Sequence, residues 1–105
     1  MSEPLTHVAP LRIDASHPSL PGHFPGHPVV PGVVLLDHVQ QAAQRWLGKP
    51  LRLQALPQAK FLAPLLPGQQ ARIQLSLQDR QLRFSIVRDH STIAQGIMQI
   101  AEAGT

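Results

Sequence analysis

The chain has 105 residues, with 9 Lys+Arg against 6 Asp+Glu, a formal net charge of +3, 11 prolines and no cysteine. That length fits one domain with a modest core. The missing cysteine excludes disulfides and thiol catalysis and suits a cytoplasmic protein, while no apolar run approaches the roughly 20 residues of a membrane helix.

Met1 to Pro10 lacks the basic start and apolar stretch of a signal peptide. It reads as a loose lead-in to a single domain spanning residues 1–105. Leu11-Arg12-Ile13 alternates as a short strand, and Pro18 to Gly22 is irregular. The segment from Pro18 to Pro31 is rich in proline. Pro25, Pro28 and Pro31 each fix φ and remove a donor, and each pushes the residue before it out of helical angles. His23 to Pro31 is therefore a stiff extended loop, with Gly26 and Gly32 expected at angles other residues avoid.

Helical periodicity runs from about Val33 to Leu47. Leu35, Val39, Ala42 and Trp46 make an apolar stripe, widened by Leu36, Ala43 and Leu47. Asp37, Gln41 and Gln44 form a polar line, and Gly48 and Pro50 end the helix. Period two follows. Leu51, Leu53 and Ala55 begin a strand that Pro57 interrupts with a bulge or an edge position, and Lys60 to Ala63 resumes it. Pro64 to Gly68 is a turn. Ala71 to Gln78 and Leu82 to Ile86 alternate cleanly, joined by a tight turn at Asp79-Arg80. Asp89-His90 turns into a last strand with Ile93, Ile97, Met98 and Ile100, where Gly96 signals a bulge or a close backbone approach. One long helix with an antiparallel meander is α+β. The helix is apolar over more than half its circumference, so the sheet is expected to wrap it.

The chemistry concentrates around the loop and the helix start. First-turn N–H groups have no intrahelical partner and favour negative charge, so Gly32 and Val33 offer an oxyanion site. His23 has the side chain best suited to proton transfer near neutral pH. Asp37 lies one turn into a mostly apolar helix, where an unpaired carboxylate is costly. His17, His23, His27 and His38 raise the question of a metal, but Pro25 and Gly26 deny His23 and His27 a shared helical face, and no metal is expected. His7 and His90 read as exposed surface, and Trp46 as core. The basic residues are scattered without a run or interleaved aromatics, which argues against nucleic acid.

His-Phe-Pro-Gly-x-Pro-Val-Val-Pro-Gly from His23 to Gly32, with Asp37 and Gln41 downstream, resembles the β-hydroxyacyl-acyl carrier protein dehydratases of fatty acid synthesis. Ala59 to Gly68 resembles that family's strand-to-strand segment, and the similarity runs from about Ile13 to Ile100. The resemblance implies a hotdog fold, an antiparallel sheet wrapped around one long central helix. It implies dimers joined edge to edge, with His23 of one protomer facing Asp37 of the other. It assigns His23 to proton abstraction, Asp37 to the leaving hydroxyl and the Gly32 N–H to the thioester oxygen. The Val29 carbonyl would set the His23 tautomer, Gln41 would orient Asp37, and Phe24, Val33 and Leu36 would line the acyl tunnel. Asp37 in the acid role needs a raised pKa, which partial burial could supply. No cofactor is implied beyond the phosphopantetheine arm of an acyl carrier protein. Arg45, Lys49, Arg52 and Lys60 would form a basic rim for that acidic partner.

Asp at position 37, where many members carry Glu, and the short chain depart from the housekeeping pattern. The resemblance implies that Asp is usual in the branch that can also isomerise the double bond, while the short chain resembles small stand-alone members of secondary pathways such as aryl polyene pigment synthesis, where paired dehydratase subunits occur. A homodimer, a higher oligomer or a heteromeric dehydratase partner are all compatible. Two rival functions stand beside dehydration: a hotdog acyl thioesterase, and a non-catalytic subunit that depends on a partner.

Overall fold

Among the described residues, alternating apolar and polar side chains build a five-stranded antiparallel sheet that packs one face against a single helix. The computed structural model describes residues 3–14 and 29–103. The elements are β1 (Leu5–Leu11), α1 (Gly32–Leu47), β2 (Leu51–Phe61), β3 (Ala71–Gln78), β4 (Gln81–Arg88) and β5 (Ser91–Glu102). The spatial order is β1-β3-β4-β5-β2, every neighbouring pair antiparallel. Only β3-β4-β5 is a meander. β2 crosses to the far side of β5, and β1 closes the other edge against β3.

The lead-in expected at the N-terminus is overturned. Leu5–Leu11 is a paired strand, in register from Leu5↔Leu77 to Leu11↔Ala71. Ala9 and Leu11 point into the core while Leu5 and Val8 stay exposed. Pro10 hid this strand from the sequence reading, yet an edge strand tolerates a proline because one side of its ladder needs no donor. The strand expected at Leu11 to Ile13 ends at Leu11, and Ile13 is buried beyond it.

The helix begins at Gly32 and ends against Gly48, which adopts φ 71 and donates its N–H to the Gln44 carbonyl at 2.8 Å. Only glycine takes that left-handed angle without strain. Val34, Leu35, Val39, Ala42 and Ala43 are its buried residues. Val39, Ala42 and Ala43 are almost wholly inaccessible, and their small size lets α1 lie close to the sheet. Opposite them, Ile73, Leu82, Ile86, Ile93 and Met98 are fully buried, each stabilising the fold by about 1.5–3 kcal/mol relative to exposure. Trp46 is half-buried and packs against the core, and it stacks flat on His7 with ring centroids 5.2 Å apart, joining the helix end to β1. That contact also takes His7 partly out of solvent. The Gln40 side chain donates to the Leu51 carbonyl at 2.9 Å, and Gln44 accepts from the Leu51 N–H at 2.8 Å, so the helix's polar residues fix the start of β2. The Lys49 ammonium pairs with Glu102, and this hydrogen bond, with the charge behind it, holds the Glu102 carboxyl below its ordinary range.

β2 is an edge strand with register shifts between Leu53 and Ala55 and between Ala55 and Gln58, as Pro57 required. Almost all of it is exposed, and beyond its end Leu62 and Leu66 are exposed too. Unpaired strand edges invite a further strand. Opposite the irregularity, Gly96 pairs with Ala59 on one side and Phe84 on the other. A Cβ there would collide with the Gln58 carbonyl and the Phe84 ring, which is the close approach its sequence position signalled. Asp79 and Asp89 take φ 58 and 54 at the two hairpin turns, a conformation Asp tolerates better than most residues. Among the described residues no helix is long and apolar enough to cross a membrane.

Candidate active site

The segment entering the helix is held in place by the loop after β2. The Val30 N–H donates to the Leu65 carbonyl at 2.9 Å, and Val30 and Leu65 are both buried. The Leu62 N–H donates to the Ile93 carbonyl at 2.8 Å, and the Gly68 N–H to the Ile13 carbonyl at 2.8 Å. Helix start and loop are thereby fixed relative to each other and to the sheet. Between them lies an apolar groove of about 570 Å³, lined by Val29, Gly32, Val33, Leu36, Phe61 and Leu62 among others.

Pro31 precedes the helix at φ −62 and ψ 147 and supplies no side-chain cap. The Val34 and Leu35 N–H groups turn back to the Pro31 carbonyl at 3.0 and 3.3 Å. The N–H groups of Gly32 and Val33 have no intrahelical acceptor, as at any helix start, and no acidic side chain occupies the first turn. Gly32 corrects one expectation. Among the described residues the positive-φ glycines are Gly48 and Gly68, not Gly32. Gly32 is helical, and its lack of a side chain serves space: a Cβ would sit 2.8 Å from Phe61 Cζ and 3.0 Å from Cε1. Sequence reasoning missed Phe61. No sequence signal pointed to it, because the prolines beside Gly32 already explained a glycine there.

Val33, Asp37 and Gln41 follow one another at i, i+4 and i+8, so they share one line along the helix. Val33 is 73% exposed and Asp37 is exposed. Gln41 donates from Nε2 to Asp37 Oδ2 at 2.6 Å. The orienting contact expected of Gln41 is thus present. The partial burial expected of Asp37 is not: its own protomer leaves it in solvent because the sheet covers only the opposite face of α1. Leu36 is half-buried at the groove. Val29 is half-buried on the groove wall. His23 and Phe24, together with His17 and His27, lie outside the described residues. Arg45, Lys49, Arg52 and Lys60 are all exposed, with Lys49 engaged by Glu102.

Comparisons with known proteins bear on the family and the fold. The profile of the ApeI-like family, described as ApeI dehydratase, matches residues 2–97. A 3-hydroxyacyl-[acyl-carrier-protein] dehydratase FabZ of Pelotomaculum thermopropionicum is 29% identical over 98 residues, covering 87% of this chain and 70% of the relative. The corresponding FabZ of Magnetococcus marinus is 33% identical over 83 residues, 70% of this chain and 54% of the relative. Among solved structures, the dehydratase heterocomplex ApeI:P from Xenorhabdus doucetiae aligns with TM-score 0.83 and 27% identity over 92% of this chain and 88% of that one. A mutant of the fluoroacetyl-CoA-specific thioesterase FlK aligns with TM-score 0.74 at 15% identity, over 96% of this chain and 87% of that one, and shares the fold alone. The fold is the hotdog fold that the sequence resemblance implied, and the chain belongs to the ApeI-like family of dehydratases.

Proposed function

We propose that this protein removes water from a β-hydroxyacyl thioester carried on an acyl carrier protein, giving the trans-2-enoyl thioester. The observation that carries the reading is the Asp37–Gln41 pair on the exposed line of α1 that starts at Val33, with the Gly32 N–H at the helix start beside an apolar groove. It places an oxygen-binding N–H, a carboxylate with an orienting amide, and room for an acyl chain within about two helical turns.

The mechanism assigns a role to each group. His23 takes the α proton. The Gly32 N–H stabilises the negative charge that develops on the thioester oxygen, a contribution that grows where water is excluded. Asp37, held by Gln41, hands a proton to the departing β-hydroxyl, and the electrons of the broken C–H bond form the double bond. Within one protomer Asp37 stands in solvent, and excluding water from the site requires a cover over this face of α1. The covering element is a second hotdog protomer, paired along the bare edge of β2 and bringing its own His23 to this helix. Leu53, Leu56, Phe61 and Leu62 are exposed on and beside that edge, which supports the pairing. The partner is either a second copy or a related dehydratase subunit, and the ApeI:P heterocomplex supports the latter. The phosphopantetheine arm brings the substrate, and the exposed basic residues Arg45, Lys49, Arg52 and Lys60 face an acidic carrier.

Mass spectrometry of a β-hydroxyacyl carrier protein incubated with the protein tests this reading. Loss of one water with the thioester intact is the expected result. Release of a free carrier thiol would make the protein a thioesterase, and an unchanged carrier would make it a subunit without activity of its own.

A further inference from the structure

Phe61 is a large apolar residue left 51% exposed at the end of β2, yet its ring is not free in solvent. It lies against the Cα of Gly32, and a methyl group at Gly32 would stand 2.8, 3.0 and 3.3 Å from Cζ, Cε1 and Cε2 of the ring. Those distances are below van der Waals contact, so any side chain at position 32 displaces the ring. Gly32 has no positive φ that would call for glycine at this position. Both residues line the same 570 Å³ groove with Val33, Leu36 and Leu62. The groove thus holds the Phe61 ring and the Gly32 backbone side by side.

We propose that Phe61 is the specificity-determining residue of the acyl groove, its ring seated on Gly32 and setting how long an acyl chain the groove accepts. This rests on the acyl-thioester reading above, but it concerns the shape of the groove and not the chemistry. The ring occupies groove volume at the helix start. Removing it lengthens the apolar path past Gly32, and each further methylene that becomes buried strengthens binding by about fourfold. A methyl group at position 32 drives the ring into the groove and shortens that path.

The test is calorimetric binding of unreactive acyl-pantetheine amides of increasing chain length to the full chain. The proteins are wild type, Phe61→Ala, Phe61→Leu, Gly32→Ala and the Gly32→Ala/Phe61→Ala double variant, each checked by its melting curve. In wild type, affinity is expected to rise with length and then stop rising. In Phe61→Ala the rise continues to longer chains, with Phe61→Leu intermediate. Gly32→Ala weakens binding at least tenfold by moving the ring, and the double variant recovers to the Phe61→Ala profile because the ring is gone. A Phe61→Ala profile equal to wild type, a Gly32→Ala defect that persists in the double variant, or no acyl binding by folded wild type would each overturn the proposal. A folded protein that shows the length shift but leaves the carrier-bound substrate intact keeps this proposal and loses the dehydratase reading.

Discussion

Asp37→Asn is expected to lower kcat by about 10²–10⁴-fold, the usual contribution of a positioned general acid, while leaving the fold intact. Asp37 is exposed within its protomer, and surface substitutions of this kind stay within about 0.5 kcal/mol in stability. Asn also keeps an oxygen that can accept from Gln41 Nε2, the contact seen at 2.6 Å. What it loses is the proton. KM should move little, because the interaction is made with the departing hydroxyl and not with the acyl chain. Steady-state kinetics beside a melting curve checks this. A kcat within threefold of wild type would remove Asp37 from the chemistry. A large drop in melting temperature would instead mark it as structural.

The largest stability effect is expected at Gly96. A Cβ at this position meets the Gln58 carbonyl and lies 2.8 Å from Phe84 Cζ. The Phe84 ring is 3% exposed and has nowhere to go, and the Gln58 carbonyl belongs to a paired strand. Overpacking of this kind costs about 1–3 kcal/mol, and the backbone clash places Gly96→Ala in the upper half of that range. In a chain of this size that lowers Tm by roughly 10–20 °C. Thermal unfolding followed by circular dichroism measures it. A shift below about 3 °C would mean that β2 moves away from β5 without cost, and that the irregularity around Pro57 is loose.

The helix was legible because a 3.6-residue period over sixteen residues, with Gly48 and Pro50 behind it, admits one reading. The β3, β4 and β5 strands were legible for the same reason at period two. β1 was not, because Thr6, His7 and Pro10 blur its alternation and its partner β3 lies far along the chain. Position of β2 beside β5, and not beside β3, is equally a matter of long-range pairing that alternation cannot report. At the site, the likeness of His23 to Gln41 to a known motif named the chemistry. The contact of Gln41 with Asp37 followed from helical spacing alone. Two things escaped. Asp37 looked partly buried because its helix is mostly apolar, but the sheet covers only one side of α1 and leaves Asp37 exposed on the other. Gly32 looked like a turn residue because prolines surround it, whereas its small size makes room for the Phe61 ring from the end of the following strand.

That exposed face of α1 leads to the central claim: the site is complete only when two chains contribute to it. Mixing purified His23→Ala and Asp37→Asn proteins tests this most directly, with water loss from the carrier-bound substrate as the readout. Each variant alone should be inactive. After subunit exchange, half of the dimers are mixed, and each mixed dimer holds one site with both residues intact and one with neither. Activity should return to about a quarter of wild type, as expected for a two-fold symmetric pair. Failure to recover activity in a mixture shown to contain mixed dimers, with wild type active, would place His23 and Asp37 in the same protomer's site and contradict the account.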